Sequence, residues 1–262
     1  MNFKKTLFLA AVAVTALSSC SGAVKQDYAK GLKETEGLSI VHMSELTDDD
    51  LKFAKGNETF AGYMTAKDYY VVNGMGTCTD SMIVIPEYYD DGTHGRLPVA
   101  AVKDWARLAV NTVVAHNTLE SLGQLGLRGC KRFIGNGVKI IGDGCMGGLA
   151  DDYIVMPQGL IHADQWAWFF TTGPTKIWLP KTLKSLGNAV FMDSTYNTIN
   201  FEGTEAQWNA IELAAGEWEY PDMTINFNVK YPGLQCPIEE YIPEVVPPTS
   251  EGGTSEATSE AA

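Results

Sequence analysis

Cys145 and His162 are the residue types that thiol chemistry uses as nucleophile and base, but no third residue that would orient the imidazole is evident. Asp90-Asp91 and Asp151-Asp152 are paired carboxylates, the equipment of acid–base hydrolysis, and solvated turns account for both. Asp48-Asp49-Asp50 could gather a cation, yet no spaced Asp/Asn/Gly loop follows. Thr47 to Leu51 reads instead as an N-cap and first helical turn, with carboxylates at the positive end of the dipole. Ile134-Gly135-Asn136-Gly137 and Gly142-Asp143-Gly144 have the glycine content of a phosphate loop, which bends in the chain explain equally well. There is no G-x-S-x-G, H-E-x-x-H or G-x-x-x-x-G-K-[ST] segment. The four histidines (42, 94, 116, 162) are scattered and no C-x-x-C occurs, so no zinc site is expected. Cys78, Cys130, Cys145 and Cys236 allow three disulfide connectivities and match no compact framework. The expectation is a protein with no catalytic residue, metal or cofactor.

The elements that position these residues start with a leader. Lys4 and Lys5 precede the apolar run Leu7 to Leu17, too short to span a bilayer and suited to a secretory signal. Leu17-Ser18-Ser19-Cys20 then resembles a bacterial lipobox, which implies acylation of Cys20 and a lipid anchor in the cell envelope, at the outer membrane or cell surface. The 262 residues carry 19 Lys+Arg against 32 Asp+Glu, a net charge of −13, with no basic cluster to meet phosphate, so nucleic acid is excluded. Hydrophobic residues make up 45% of the chain, enough for a core and against wholesale disorder.

Between the ends lies a repeat. With Pro180 as reference, apolar residues follow at +3 (Leu183) and +6 (Leu186), Gly187 at +7, Ala189 at +9 and Phe191 at +11. The same ruler fits reference positions 116, 135, 157 and 202, spaced by 19, 22, 23 and 22. A first unit opens at Ile83-Val84-Ile85-Pro86 and carries a ten-residue insertion, Tyr88 to Leu97. Each unit starts with an alternating apolar strand ended by Pro, which has no ladder donor. One coil cannot bury two apolar faces alone, but stacked coils share a core. The expected fold is a repeat solenoid, leucine-rich-repeat-like, of mostly short parallel β-strands with turns and little helix. Its expected limits are a signal peptide over 1–19, a lipid-anchor linker and N-terminal segment over 20–66, the solenoid with its caps over 67–232, and a disordered Pro/Ser/Thr/Glu-rich tail over 233–262.

These units resemble the BspA-type leucine-rich repeats of bacterial surface proteins, I-x-I-P-x-x-V-x-x-I-G-x-x-A-F-x-G-C-x-x-L. Leu127-Arg128-Gly129-Cys130-Lys131-Arg132-Phe133 follows the end of that pattern, with Leu for Phe and Phe for Leu. The segment Phe201-Glu202-Gly203-Thr204 with Trp208, Ile211 and Trp218 resembles the one that closes such arrays. The family Pro is lost at His116, Gly135 and Glu202, and the family Phe at Leu127, Met146 and Trp168. The resemblance implies an extracytoplasmic solenoid used in binding or adhesion.

By the ruler Cys130, Trp166 and Trp168 face the interior. Strand residues at −2 face outward: Val84, Val114, Phe133, Val155, Trp178 and Asn200, with Tyr153 and Lys176 beside them at −4. Phe133, Tyr153, Val155, Lys176 and Trp178 form the candidate binding face for a protein or glycan at the cell surface. The alternative explanation of this stripe is β-propensity. The corresponding functions are a membrane-anchored binding protein or a structural component of an envelope complex with no external ligand.

Overall fold

Each Ile-x-Ile-Pro opening forms a short strand, and successive openings stack in parallel. The computed structural model describes residues 26–52, 62–150, 153–173, 175–214 and 223–232, with Tyr153 described by its backbone alone. The leader with Cys20, the Asp151-Asp152 pair, Trp218, Cys236 and the tail over 233–262 lie outside the described residues. Contacts divide the chain into Met1–Tyr231 and Pro232–Ala262, and every element below belongs to the first unit.

Strands are numbered along the chain. An antiparallel pair, β1 (Ser39–His42) and β2 (Tyr70–Gly74), begins the array. The predicted openings give β3 (Met82–Ile85), β6 (Thr112–Ala115) and β8 (Arg132–Ile134) in one parallel sheet. They also give β10 (Tyr153–Val155), β12 (Lys176–Leu179) and β14 (Thr198–Phe201) in another, which β16 (Thr224–Asn226) extends. A second ladder runs along the other side of the coils: β5 (Leu97–Val102), β7 (Ser121–Leu122), β9 (Ile140–Ile141), β11 (His162–Ala163), β13 (Ser185–Leu186) and β15 (Glu212–Leu213). In the middle coils these are the +5 and +6 residues, so His162 is a buried strand residue. The inserted segment folds as a hairpin in which β4 (Tyr88–Tyr89) pairs antiparallel with β5.

The interior follows the ruler. The +3 residues Leu119, Val138, Leu160 and Leu183 are buried, as are Leu122, Ile141, Ala163 and Leu186 at +6. At +11, Leu127, Met146, Trp168 and Phe191 stack through the middle, with Trp168 and Phe191 rings 5.2 Å apart. Shared burial between neighbouring coils is what makes such arrays stable. The far end is plugged by Phe201 and Trp208, the latter from a one-turn helix α1 (Glu205–Trp208) started by Thr204 with a capping box.

Glycine at +7 answers to a close approach. A Cβ on Gly187 would lie 2.3 Å from the backbone nitrogen of Gln165, and one on Gly123 would lie 2.5 Å from that of Asp104. The next position, +8, is polar throughout (Asp104, Gln124, Asp143, Gln165, Asn188) and forms a ladder in which Gln124 and Gln165 both donate to Asp143 at 3.0 Å. The coil then turns through left-handed residues at +9: Trp105, Leu125, Gly144, Trp166 and Ala189. A second left-handed place at +13 holds Gly129, Gly148, Phe170 and Asp193. The backbone repeats even where glycine has been replaced by a residue that disfavours this conformation.

Two expectations change here. Trp166 is exposed, not interior, although Leu125 and Ala189 at the same left-handed +9 place are buried. The outward −2 row is also not a continuous open stripe, since Val84, Val114 and Asn200 are buried.

Candidate functional site

The strand face is interrupted by a register change. From β6 to β8 the ladder slips one residue against the ruler: Thr112 pairs with Arg132 and Val113 with Phe133. An unslipped ladder would have pointed Arg132 inward, so the slip puts an aromatic ring there instead. Phe133 therefore shares the side of Val113 and packs half-buried against the core, with its ring over Gly135. Tyr153 pairs with Lys176 and Val155 with Trp178, so these four are neighbours in one sheet while Phe133 stands in another. Lys176 is exposed, Val155 and Trp178 are half-buried, and the side chain of Tyr153 lies outside the described residues.

Segments from both ends cover this face. Residues 26–38 cross the first coils as a strap. Thr35 exchanges hydrogen bonds with Val84, its N–H donating to the Val84 carbonyl at 3.0 Å and its hydroxyl accepting from the Val84 N–H at 2.9 Å. That contact closes the free edge of β3, the usual liability of an edge strand, and accounts for the burial of Val84. The reference place of the repeat holds the rest of the strap: His116 lies 3.1 Å from Asp27, and Asn136 donates to the Gln26 carbonyl at 2.9 Å. At the other end the Tyr231 hydroxyl donates to the carbonyls of Met156 and Trp178, and its burial pushes the phenol well above its ordinary pKa.

An aromatic ledge on the turn edge of the coils is the most exposed apolar surface among the described residues. Trp166 is 44% exposed, Phe170 54% and Met192 43%, and Trp105 stands separately at 54%. The Phe169 ring lies 4.9 Å from Phe170 and 6.5 Å from Trp166, seated on Gly144 and Gly147, with the Arg128 guanidinium 5.2 Å above it. Trp166 and Phe170 both sit at left-handed positions, with φ of 54° and 52°. A bulky residue held in that region and turned to solvent is costly on two counts. The sequence signal was available in Trp166, Phe169 and Phe170, but the ruler gave their offsets no outward direction.

The chemistry considered for catalysis is spoken for. Burial pushes the Cys145 thiol up to about 12, so it holds no thiolate at neutral pH. Cys130 is buried with its thiol donating to the Arg132 carbonyl at 2.9 Å, and Cys78, Cys130 and Cys145 form no disulfide among the described residues. Asp90 and Asp91 accept backbone N–H groups of Gly92, Thr93 and His94 in the hairpin turn, and those bonds with the His94 ring hold Asp91 far below its ordinary pKa. Thr47 and Asp50 bond each other reciprocally, as a helix start does. Burial pushes Glu120 up, but Lys139 at 2.8 Å, Thr65 and the Ala66 N–H outweigh it and the carboxyl titrates low. This network pins residues 64–66 to the second ladder.

No family model and no curated protein matches the chain. Among solved structures, it is similar to a leucine-rich cell surface protein of Faecalibacterium prausnitzii at 19% identity and a TM-score of 0.45, covering 56% of this chain and 39% of that one. It is likewise similar to a leucine-rich-repeat protein of T. pallidum at 19% identity and a TM-score of 0.46, covering 71% and 84%. A leucine-rich-repeat protein of Bacteroides ovatus follows at 12% identity and 0.24, covering 61% and 67%. By its own strand order and register, the chain is a leucine-rich-repeat-like solenoid of short parallel strands with very little helix.

Proposed function

We propose that the protein is a lipid-anchored binding protein of the bacterial cell envelope, which engages a protein or glycan partner at the cell surface. The exposed aromatic ledge carries this reading. Trp, Phe and Met at the surface beside an arginine are the residues that binding hot spots favour, and flat rings also stack on sugars. Keeping them at left-handed positions opposes the stability of the free protein, and a partner that covers them would compensate. The lipobox at Cys20 supplies the anchor in this reading.

The test is a screen of the purified chain against glycan and extracellular-matrix arrays and against envelope fractions, repeated with Trp166→Ala/Phe170→Ala and with Trp178→Ala. The expected result is a partner whose affinity falls by about tenfold or more in the ledge variant, as loss of an aromatic anchor does. Binding lost only in Trp178→Ala returns the function to the strand face. Binding unchanged in both refutes both surfaces.

A further inference from the structure

The strap is held by residues that stand where the repeat has its Pro. Pro86 is followed in the next coils by His116 and, across the register slip, by Asn136. A buried imidazole at a place that elsewhere only ends a strand needs its own explanation. Around His116 three carboxylates converge, two from the strap (Asp27 and Glu34) and one from the preceding coil (Glu87). One ligand atom each from Asp27, Glu87 and His116 lies within 4.8 Å of the other two. His116 Nδ1 is 3.1 Å from Asp27 Oδ2, and Nε2 is 3.8 Å from Glu34 Oε1. Among the described residues no Lys or Arg is paired with Asp27, Glu34 or Glu87, although the imidazole between them is almost wholly buried.

We propose that Asp27, Glu87 and His116 form a binding site for a divalent transition-metal cation, which clamps the strap onto the first coils. Crowded carboxylates repel one another when no positive charge intervenes, and a cation among them reverses that balance. One imidazole nitrogen with two carboxylate oxygens is a donor set for zinc, with a water completing four-fold coordination, and not the all-oxygen shell that calcium takes. Ligands about 2.0–2.1 Å from a tetrahedral ion lie about 3.3 Å apart, and rotation of Glu87 closes the remaining distance. Its carboxylate accepts no hydrogen bond among the described residues, so it is free to turn. Glu34 then takes the outer place: it faces the second imidazole nitrogen, and its Oε1 accepts the Glu87 backbone N–H at 2.8 Å. A carboxylate behind a ligating histidine is the usual way such a ring is oriented. Because the donors come from both strap and coil, loading couples metal binding to closure of the strap.

The experiment uses the full chain, stripped with EDTA and dialysed, and titrated calorimetrically with zinc chloride alone and with calcium chloride alone. One saturable zinc site is expected, with a melting temperature that rises with zinc, slower proteolytic cleavage within residues 26–38, and no response to calcium. Glu87→Gln should lower zinc affinity at least tenfold and abolish the zinc-dependent protection, while its metal-free melt stays at or above that of the parent. His116→Gln should do the same. If that variant does not fold, Glu87→Gln decides the matter, because the Glu87 carboxylate accepts no hydrogen bond and forms no ion pair with Lys or Arg among the described residues. An exposed trio, Glu45, Asp91 and His94, is the internal control. The proposal is overturned if no saturable zinc site exists, if Glu87→Gln binds zinc as tightly as the parent, or if His94→Gln is the variant that loses it.

Discussion

Asp104 begins the polar +8 ladder, where its Oδ1 accepts the Gln124 N–H at 2.7 Å. Burial pushes its carboxyl up to about 6 from an ordinary 3.8, against the hydrogen bond from Gln124 and the charge of Lys52. A raised acid favours the fold while protonated. That contribution is fully present below the unfolded pKa near 3.8 and is lost as pH rises through about 6. Asp104→Asn keeps the acceptor and removes the charge. It should therefore stabilise the protein at pH 7, by about 3 kcal/mol at most, which is what a rise of the carboxyl from 3.8 to about 6 amounts to. Melts of parent and variant between pH 4 and 7 should coincide at the acid end and separate as pH rises. Equal melting temperatures at pH 7 would mean the folded carboxylate carries no such penalty.

At the scale of the coil, the left-handed turn places set a cost that the sequence meets unevenly. Gly129 and Gly148 occupy +13 freely, whereas Phe170 and Asp193 hold the same backbone with a side chain. Phe170→Gly and Phe170→Ala both remove the ring, but only glycine also removes the strain. The glycine variant should thus be the more stable of the two by about 1 kcal/mol, opposite to the usual order of Ala over Gly. Chemical denaturation of the pair reads this difference directly, and Ala at or above Gly would refute the turn geometry. The ruler read the core well, because +3, +6 and +11 apolar residues have a direction fixed by burial, as Leu183, Leu186 and Phe191 show. It missed the second ladder because two-residue strands such as Ser121–Leu122 and His162–Ala163 have too few positions to alternate. The slip at Phe133 and the exposure of Trp166 were invisible for a related reason. The first depends on strand pairing and the second on how neighbouring coils pack at the turn, neither of which residue identity alone reports. The proposed zinc site has no signature in the sequence because its donors lie far apart along the chain, and only the strap brings Asp27 beside His116.

At the scale of the whole molecule, the strap connects the candidate anchor to the coils. It begins six residues after Cys20, and six extended residues reach about 20 Å at most. The strap is held at the reference edge of the coils by His116 and Asn136. The aromatic ledge lies at +9 to +13, on the turn that follows the second ladder, so it is nine to thirteen residues along the coil from that edge. An acylated Cys20 would draw the reference edge toward the bilayer, while the ledge, at a different place on the coil, would stay open to partners. In this arrangement tethering and binding are separable. Cys20→Ala should move the protein from the membrane to the soluble fraction after export, because the acyl chains supply the attachment. The released protein should keep the affinity that Trp166→Ala/Phe170→Ala removes. Unchanged membrane attachment in Cys20→Ala would sink the lipid anchor, whereas release accompanied by lost binding would place the partner at the membrane surface and not at the ledge.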